Sequence, residues 1–376
     1  MKSIPTKKTH VIGAALFAAA MALPSSHPAF AEAAPERGIV AFKYLNYEDK
    51  QSSADRISVN AYSVSAMAPI AGKWSINTSY TYDSVSGASP HHHDILSRAS
   101  ITEKRQAVDL GVTRYLSRGS VTVGTSYSSE NDYISRGYSA QGSLLTEDKN
   151  TTFTLGGSYT TDTINPTGQK DLFFSKRTVA GLFGITKVLT KTDIMQLNFG
   201  YSTGHGDFTD HYKPNELRPE KRESKTVMTR WNHHFDGIDG TSRLSYRYYT
   251  DTFGVNAHTL GLEYVQPLSN DWTVTPSVRY YSQTAADFYR LVDLADPETL
   301  PSVLPGEIVS FDQRLSAFGA MTLGLKVEKR IAKEWLVDAK FEVYEQRPGW
   351  SLTGGGDPGL SSFEARFIQL GLSREF

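Results

Sequence analysis

Apolar and polar residues alternate along most of this chain with a period of two. WSINTSYTY places Trp74, Ile76, Thr78, Tyr80 and Tyr82 on one face. SVTVGTSYS sets Val121, Val123, Thr125 and Tyr127 against Thr122, Gly124, Ser126 and Ser128. DIMQLNFGYS sets Met195, Leu197, Phe199 and Tyr201 against Gln196, Asn198, Gly200 and Ser202. EWLVDAKFEVYE sets Trp335, Val337, Ala339, Phe341 and Val343 against Asp338, Lys340 and Glu342. Successive side chains of a β-strand point to opposite faces, so this period predicts strands with one apolar and one polar or charged face. The segments run about 10–14 residues. That exceeds the ~5–6 residues of most globular strands and suits the ~9–11 needed to cross a bilayer at a tilt.

The connections alternate as well. Short ones fall at 68–72, 117–120, 146–150, 189–192, 236–240, 267–271 and 330–334. Mostly longer ones lie between them, at 84–104, 164–177, 203–223, 284–309 and 346–361. Short turns on one side and long loops on the other are the plan of bacterial outer-membrane barrels. The expected fold is therefore all-β: a transmembrane antiparallel β-barrel of about 16 strands, with 14–18 compatible. Expected strand starts lie near 37, 55, 73, 106, 120, 133, 150, 177, 192, 224, 241, 255, 271, 310, 334 and 362. The segment DYISRGYSAQGSLL alternates least well, so the strand at 133–145 is the weakest of the set.

Composition narrows the alternatives. Lys2, Lys7 and Lys8 precede an apolar run from Val11 to Leu23, and Ala29-Phe30-Ala31 resembles a cleavage site. This pattern predicts a secretory signal peptide over 1–31 and a single barrel domain over 32–376. The chain has no Cys, which excludes a lipoprotein, thiol catalysis, Cys-ligated zinc and c-type haem attachment. A net charge of −1 gives no reason to expect nucleic acid, and no apolar run of 18 residues exists to form a membrane helix. Mean hydropathy is −0.37 although 11% of the residues are aromatic, a combination that suits a barrel with a wet interior.

The chain finishes on QLGLSREF. A closed barrel must pair its last strand with its first, because lipid offers no partner to an open edge. Gln369, Gly371 and Phe376 fit a terminal signal of the kind read by the outer-membrane assembly machinery, whereas Arg374 stands where an apolar residue is expected.

DRISVNAYSVSAMAPI (55–70), YDSVSGASP (82–90), VTRYLSRGSVTVGTSYSSENDYISRGYS (112–139) and NTTFTLGGSYTTDTINP (150–166) resemble a family known only as domain of unknown function 3570. The resemblance implies an exported, outer-membrane protein. It brings no activity and no catalytic residues.

Candidate chemistry follows from the polar faces and the loops. Lys43, Arg230, Arg243, Arg247, Arg279, Arg314, Lys326 and Lys340 are expected to line the lumen, together with Asp109, Glu263, Glu328, Asp338 and Glu342. Charge is tolerated on the lumen face and costly on the lipid face. The slight basic excess suits a porin-like passage for small anionic solutes, and a salt-bridged, stiffened wall is the plainer alternative. Residues 284–309 are a candidate constricting loop. His91, His93 and Asp94 are candidate metal ligands, with His205 and His211 as further donors. His233 and His234 are read as interfacial. No nucleophile motif, phosphate loop or H-E-x-x-H is present, so neither an enzyme nor a cofactor is expected. A non-conducting scaffold or receptor is the second reading. Expected partners are membrane lipid and lipopolysaccharide, the assembly machinery and an unspecified periplasmic protein.

Overall fold

Sixteen strands form one closed antiparallel sheet. In the computed structural model the described residues are 34–376 apart from 52–53, 89–99, 168–171, 214–215, 292–302, 355 and 358–361. The expected signal peptide, 1–31, lies outside them. The first eight strands are β1 (Ile39–Gln51), β2 (Ala54–Ile70), β3 (Trp74–Ala88), β4 (Ser100–Leu116), β5 (Gly119–Ser129), β6 (Tyr133–Leu145), β7 (Thr151–Ile164) and β8 (Phe174–Val188). The second eight are β9 (Asp193–Gly206), β10 (Lys221–Phe235), β11 (Gly240–Asp251), β12 (Asn256–Leu268), β13 (Trp272–Gln283), β14 (Phe318–Ala332), β15 (Trp335–Arg347) and β16 (Phe363–Glu375).

Each strand pairs with its neighbours in sequence, and β1 pairs with β16 to close the ring. That seam runs from Ile39 opposite Glu375 to Gln51 opposite Phe363 without a register shift. It extends one residue further: the Gly38 and Phe376 amides each donate to the other's carbonyl at 2.9 Å. Closure satisfies every strand edge from within the chain, as a hydrocarbon surround demands.

The outer surface is built from the apolar face of the alternation. Val40, Phe42, Tyr62, Val64, Leu323, Leu325, Phe341, Ile368, Leu370 and Leu372 are all exposed. At the short-turn end, each of three outward tryptophans carries a cation over its ring. Arg114 sits 4.6 Å from the Trp74 ring centre, Lys329 5.0 Å from Trp272 and Arg374 5.3 Å from Trp335. An indole with a basic group suits the headgroup level, where one end of the pair is apolar and the other wet. This also gives Arg374, the departure from the terminal signal, a place at the membrane boundary.

Two expected boundaries move. β4 begins at Ser100 rather than near 106, and β14 begins at Phe318 rather than near 310. The stretch before β14 instead forms a 3-10 turn, Gln313–Leu315, capped by the Asp312 side chain on the Arg314 amide. The weakly alternating strand β6 is complete and paired on both sides.

Replacing Leu325 by Arg puts a charge near mid-membrane on the lipid face and is expected to cost about 2–4 kcal/mol. Equilibrium unfolding in vesicles measures it. The adjacent position on the inner face carries Lys326, paired with Glu328 at 2.7 Å.

Candidate functional site: the lumen wall and the bridged mouth

Four arginines share one inner face across β10–β13. Arg230 lies opposite Ser245 on β11, and Arg243 and Arg247 flank Ser245 on the same face. Ser245 lies opposite Gly261 on β12, which lies opposite Arg279 on β13. Arg230 and Arg279 are thus three strands apart, ~14 Å at the usual strand spacing. The small residues Ser245 and Gly261 between them leave an open floor. Among the described residues only Arg243 of these four has a carboxylate within 4.0 Å, Glu263 at 3.7 Å. Arg279 donates to Thr322 Oγ1 at 3.2 Å, and Arg247 stands 5.6 Å from the Tyr249 ring centre.

The neighbouring wall pairs its lysines. Lys326 and Lys340 face each other across β14 and β15. Each holds its own acid, Lys326 to Glu328 at 2.7 Å and Lys340 to Glu342 at 3.0 Å. Asp338 lies opposite Gly371 of β16. A Cβ at Gly371 would stand 2.2 Å from Asp338 Oδ1, so this glycine leaves room for that carboxylate.

Above the wall, the long connections meet across the mouth. Leu217, between β9 and β10, forms a two-residue bridge with Val309, between β13 and β14. Asp312 is the hub. Its buried carboxylate takes Arg218 at 2.9 Å, Lys213 at 3.0 Å and Arg314 Nε at 2.7 Å. Arg314 also reaches Asp210 at 2.9 Å. Gln313 accepts from Gln51 at the end of β1 at 3.0 Å. Tyr212 donates to Asp132 in the β5–β6 connection and accepts from the Thr167 amide beyond β7 at 2.8 Å. Tyr289 donates to Asp357, beyond β15, at 2.8 Å. Beneath the hub, Phe253, Val255, Ala286 and Leu315 form a buried apolar cluster. One chain of contacts therefore links β1, the β5–β6 and β7–β8 connections and the two long loops, from one side of the barrel to the other.

Arg314 must be reassigned on this basis. It belongs to the 3-10 turn of the mouth and not to the lumen wall, because β14 starts after it. Burial alone would push the Asp312 carboxyl up, but Arg314, Lys213 and Arg218 outweigh it and hold it well below the usual carboxylate range.

The histidines divide. His91, His93 and Asp94 lie outside the described residues. His211 contacts Asp207 and stacks on Phe174, ring centres 3.9 Å apart. His205 lies on β9 within 3.5 Å of Thr203 Oγ1. At the opposite end of the barrel, His233 lies 2.8 Å from Asp193 and His234 3.1 Å from Thr241.

One cluster escaped the sequence reading. Glu103 on β4 and Glu130 and Asp132 in the β5–β6 connection each bring one oxygen within 4.8 Å of the others. Burial pushes the Glu130 carboxyl up to about 7; Arg105 opposes this, while Asp132 and Asp83 add to it. Burial raises Asp132 too, against the hydrogen bond from Tyr212. The sequence signal was the acid pair within SSENDY, but Glu103 joins it only through the β4–β5 register.

A closed 16-stranded barrel with an apolar belt, a charged interior and bridged loops defines the class: an outer-membrane-type β-barrel. The family described as Protein of unknown function (DUF3570) matches residues 13–94 and 97–367, and the chain belongs to it. No curated protein matches the chain. Among solved structures, a bacterial polysaccharide outer membrane secretin is similar at 8% identity and a TM-score of 0.54, covering 90% of this chain and 98% of its own. That likeness is one of fold. The siderophore receptor PirA from Pseudomonas aeruginosa is also similar, at 8% identity and a TM-score of 0.47, over 91% of this chain and 81% of its own. So is OccD3 (OpdP) from Pseudomonas aeruginosa, at 10% identity and 0.44, over 91% and 92%.

Asp312→Asn removes the counter-charge of three cations while preserving shape. The expected loss lies toward the low end of the ~3–5 kcal/mol for breaking a buried pair, because the cations keep other acids and some solvent. Hydrogen exchange at 207–218 reads it as faster opening. Asp312 is depressed when folded, so its contribution is present above its ordinary value of 3.8 and vanishes only as pH falls through the lower folded value. The bridge should therefore resist proteolysis at pH 5 as well as at pH 7 and open only in stronger acid.

Proposed function

We propose that this barrel is a passage for small anionic solutes, latched at its extracellular mouth by the loop bridge. The observation that carries this reading is the arginine group of β10–β13: Arg230, Arg243, Arg247 and Arg279 around Ser245 and Gly261. Among the described residues only Arg243 of the four has a carboxylate within 4.0 Å, and guanidinium groups without one in a water-filled lumen attract anions and repel cations. They also suit carboxylate and phosphate geometry, because each presents a planar fork of donors. The β14–β15 wall, by contrast, holds its lysines in ion pairs with Glu328 and Glu342. A 16-stranded ring is wide enough for an aqueous channel, so passage is decided at the mouth.

The mouth also motivates a second reading, a non-conducting receptor or scaffold. Its support is the fully buried Asp312 hub, which ties loops from opposite sides of the ring. The two readings part in a planar bilayer. The refolded protein should give small, intermittent steps, and Asp312→Asn should raise conductance severalfold. Steps of either protein should show an anion-biased reversal potential. Replacing Arg230, Arg247 and Arg279 with Ser in the Asp312→Asn background should abolish that bias and leave the steps. Silence from both the parent protein and Asp312→Asn, with each inserted and heat-modifiable on gels, would sink the passage and leave the receptor.

A further inference from the structure

The acidic cluster at the mouth has no part in anion passage and calls for its own account. Glu103 and Asp132 are only 4% and 3% exposed. Glu103 Oε1 and Asp132 Oδ1 are buried without a hydrogen-bond partner among the described residues. Buried carboxylate oxygens are normally paired, and oxygens without a donor call for a shared proton, a water or an ion between them. The other Asp132 oxygen is fixed by the Tyr212 hydroxyl, and its backbone carbonyl accepts from the Asn165 amide at 2.7 Å. The side chain is therefore aimed rather than loose. Nearby charge is mostly negative. Asp83 is close enough to act on Glu130, and the local guanidinium, Arg105, divides itself between them; its Nε lies 2.8 Å from Asp83.

The ligand chemistry follows from the donors and their spacing. All are carboxylate oxygens, which suit a hard cation rather than zinc or copper. Oxygens sharing a Ca²⁺ at ~2.3–2.6 Å stand up to ~5 Å apart, whereas Mg²⁺ at ~2.0–2.1 Å allows only ~4.2 Å. The three oxygens lie within 4.8 Å of one another, inside the span one Ca²⁺ bridges, and the flexible coordination of Ca²⁺ suits an irregular loop site better than the near-ideal octahedron Mg²⁺ demands. The site also lies above the lipid belt: outward-facing Lys104 and Gln106 beside it are polar, and the apolar face of β4 resumes at Val108. Solvent Ca²⁺ can thus reach it from outside.

We propose that Glu103, Glu130 and Asp132 form a Ca²⁺ site at the extracellular rim. The ion joins β4 to the β5–β6 connection. Through Asp132 and Tyr212 it braces the loop between β9 and β10, and so one end of the bridge over the mouth. The site stands whether or not the lumen conducts.

The test uses the full barrel, refolded in detergent free of lipopolysaccharide, stripped with chelator and titrated with Ca²⁺ in a calorimeter. One Ca²⁺ per chain is expected. Glu103→Gln and Asp132→Asn should each weaken binding roughly tenfold or more, since each removes a charged ligand from a hard-ion site. Mg²⁺ should compete poorly. Melting gives a second readout with a change of sign. In chelator at pH 9, where Glu103, pushed up to about 8 by burial and by its acidic neighbours, is ionised, Glu103→Gln should melt above the parent, because it removes like-charge repulsion. In Ca²⁺ the parent should melt above the variant. Heat-modifiability on gels confirms that each variant is a closed barrel, and Glu130→Gln, at the least buried ligand, replaces any that is not. Absence of Ca²⁺ binding, equal affinity in parent and variants, or a melting order that Ca²⁺ does not reverse would overturn the site.

Discussion

A backbone amide or carbonyl in hydrocarbon has no water to turn to, and the rest of this molecule depends on that constraint. An unpaired group would cost several kcal/mol, so the sheet must have no edge. The β1–β16 seam meets the demand to its last residue, with Gly38 and Phe376 exchanging hydrogen bonds. Closure then dictates alternation. Every strand has one side in lipid and one in the lumen, so Leu323 and Leu325 face out while Lys326 and Glu328 face in. It also dictates where irregular chain can go. Long connections are confined to one rim, where water or other loops satisfy them.

The lumen inherits the charge that the outer face cannot carry. On β14 and β15 each lysine is neutralised by an acid on its own strand. On β10–β13 the arginines gather around small residues with a single acid in reach. The same chain thus carries paired charges on one wall and a group of four arginines on another. The mouth is organised by the opposite logic. There one buried aspartate collects cations from two loops, and a deeply buried charge is tolerable only because they surround it. Removing it leaves Arg218 to Glu216 and Arg314 to Asp210 and takes from the bridge the acid that Lys213, Arg218 and Arg314 share.

The periodicity was strong enough to give the fold class, the strand count and the short-turn side. Lipid enforces a two-residue alternation along each strand, and that is a local signal. The boundary of β14 was misplaced for a local reason too. SFDQRLSAFG has polar and apolar residues at strand-like intervals, yet Asp312 caps the Arg314 amide and turns the chain into a 3-10 turn. Arg314 thereby became a mouth residue. Conversely β6, with its poor alternation, is a full strand, because pairing on both sides supplies what its side chains do not.

Periodicity alone therefore carried the all-β barrel, since alternation arises from the solvent on each side of a single strand. The gathering of Arg230, Arg243, Arg247 and Arg279 needed the register of four strands. The joining of Glu103 to Glu130 and Asp132 needed the register of two and the path of a loop. The Asp312 hub needed the docking of loops nearly one hundred residues apart, as in its 94-residue separation from Arg218. Those are contacts between segments with no local trace of one another. Tertiary structure decided them because hydrogen-bond register and loop packing, not side-chain pattern, determine which charges meet.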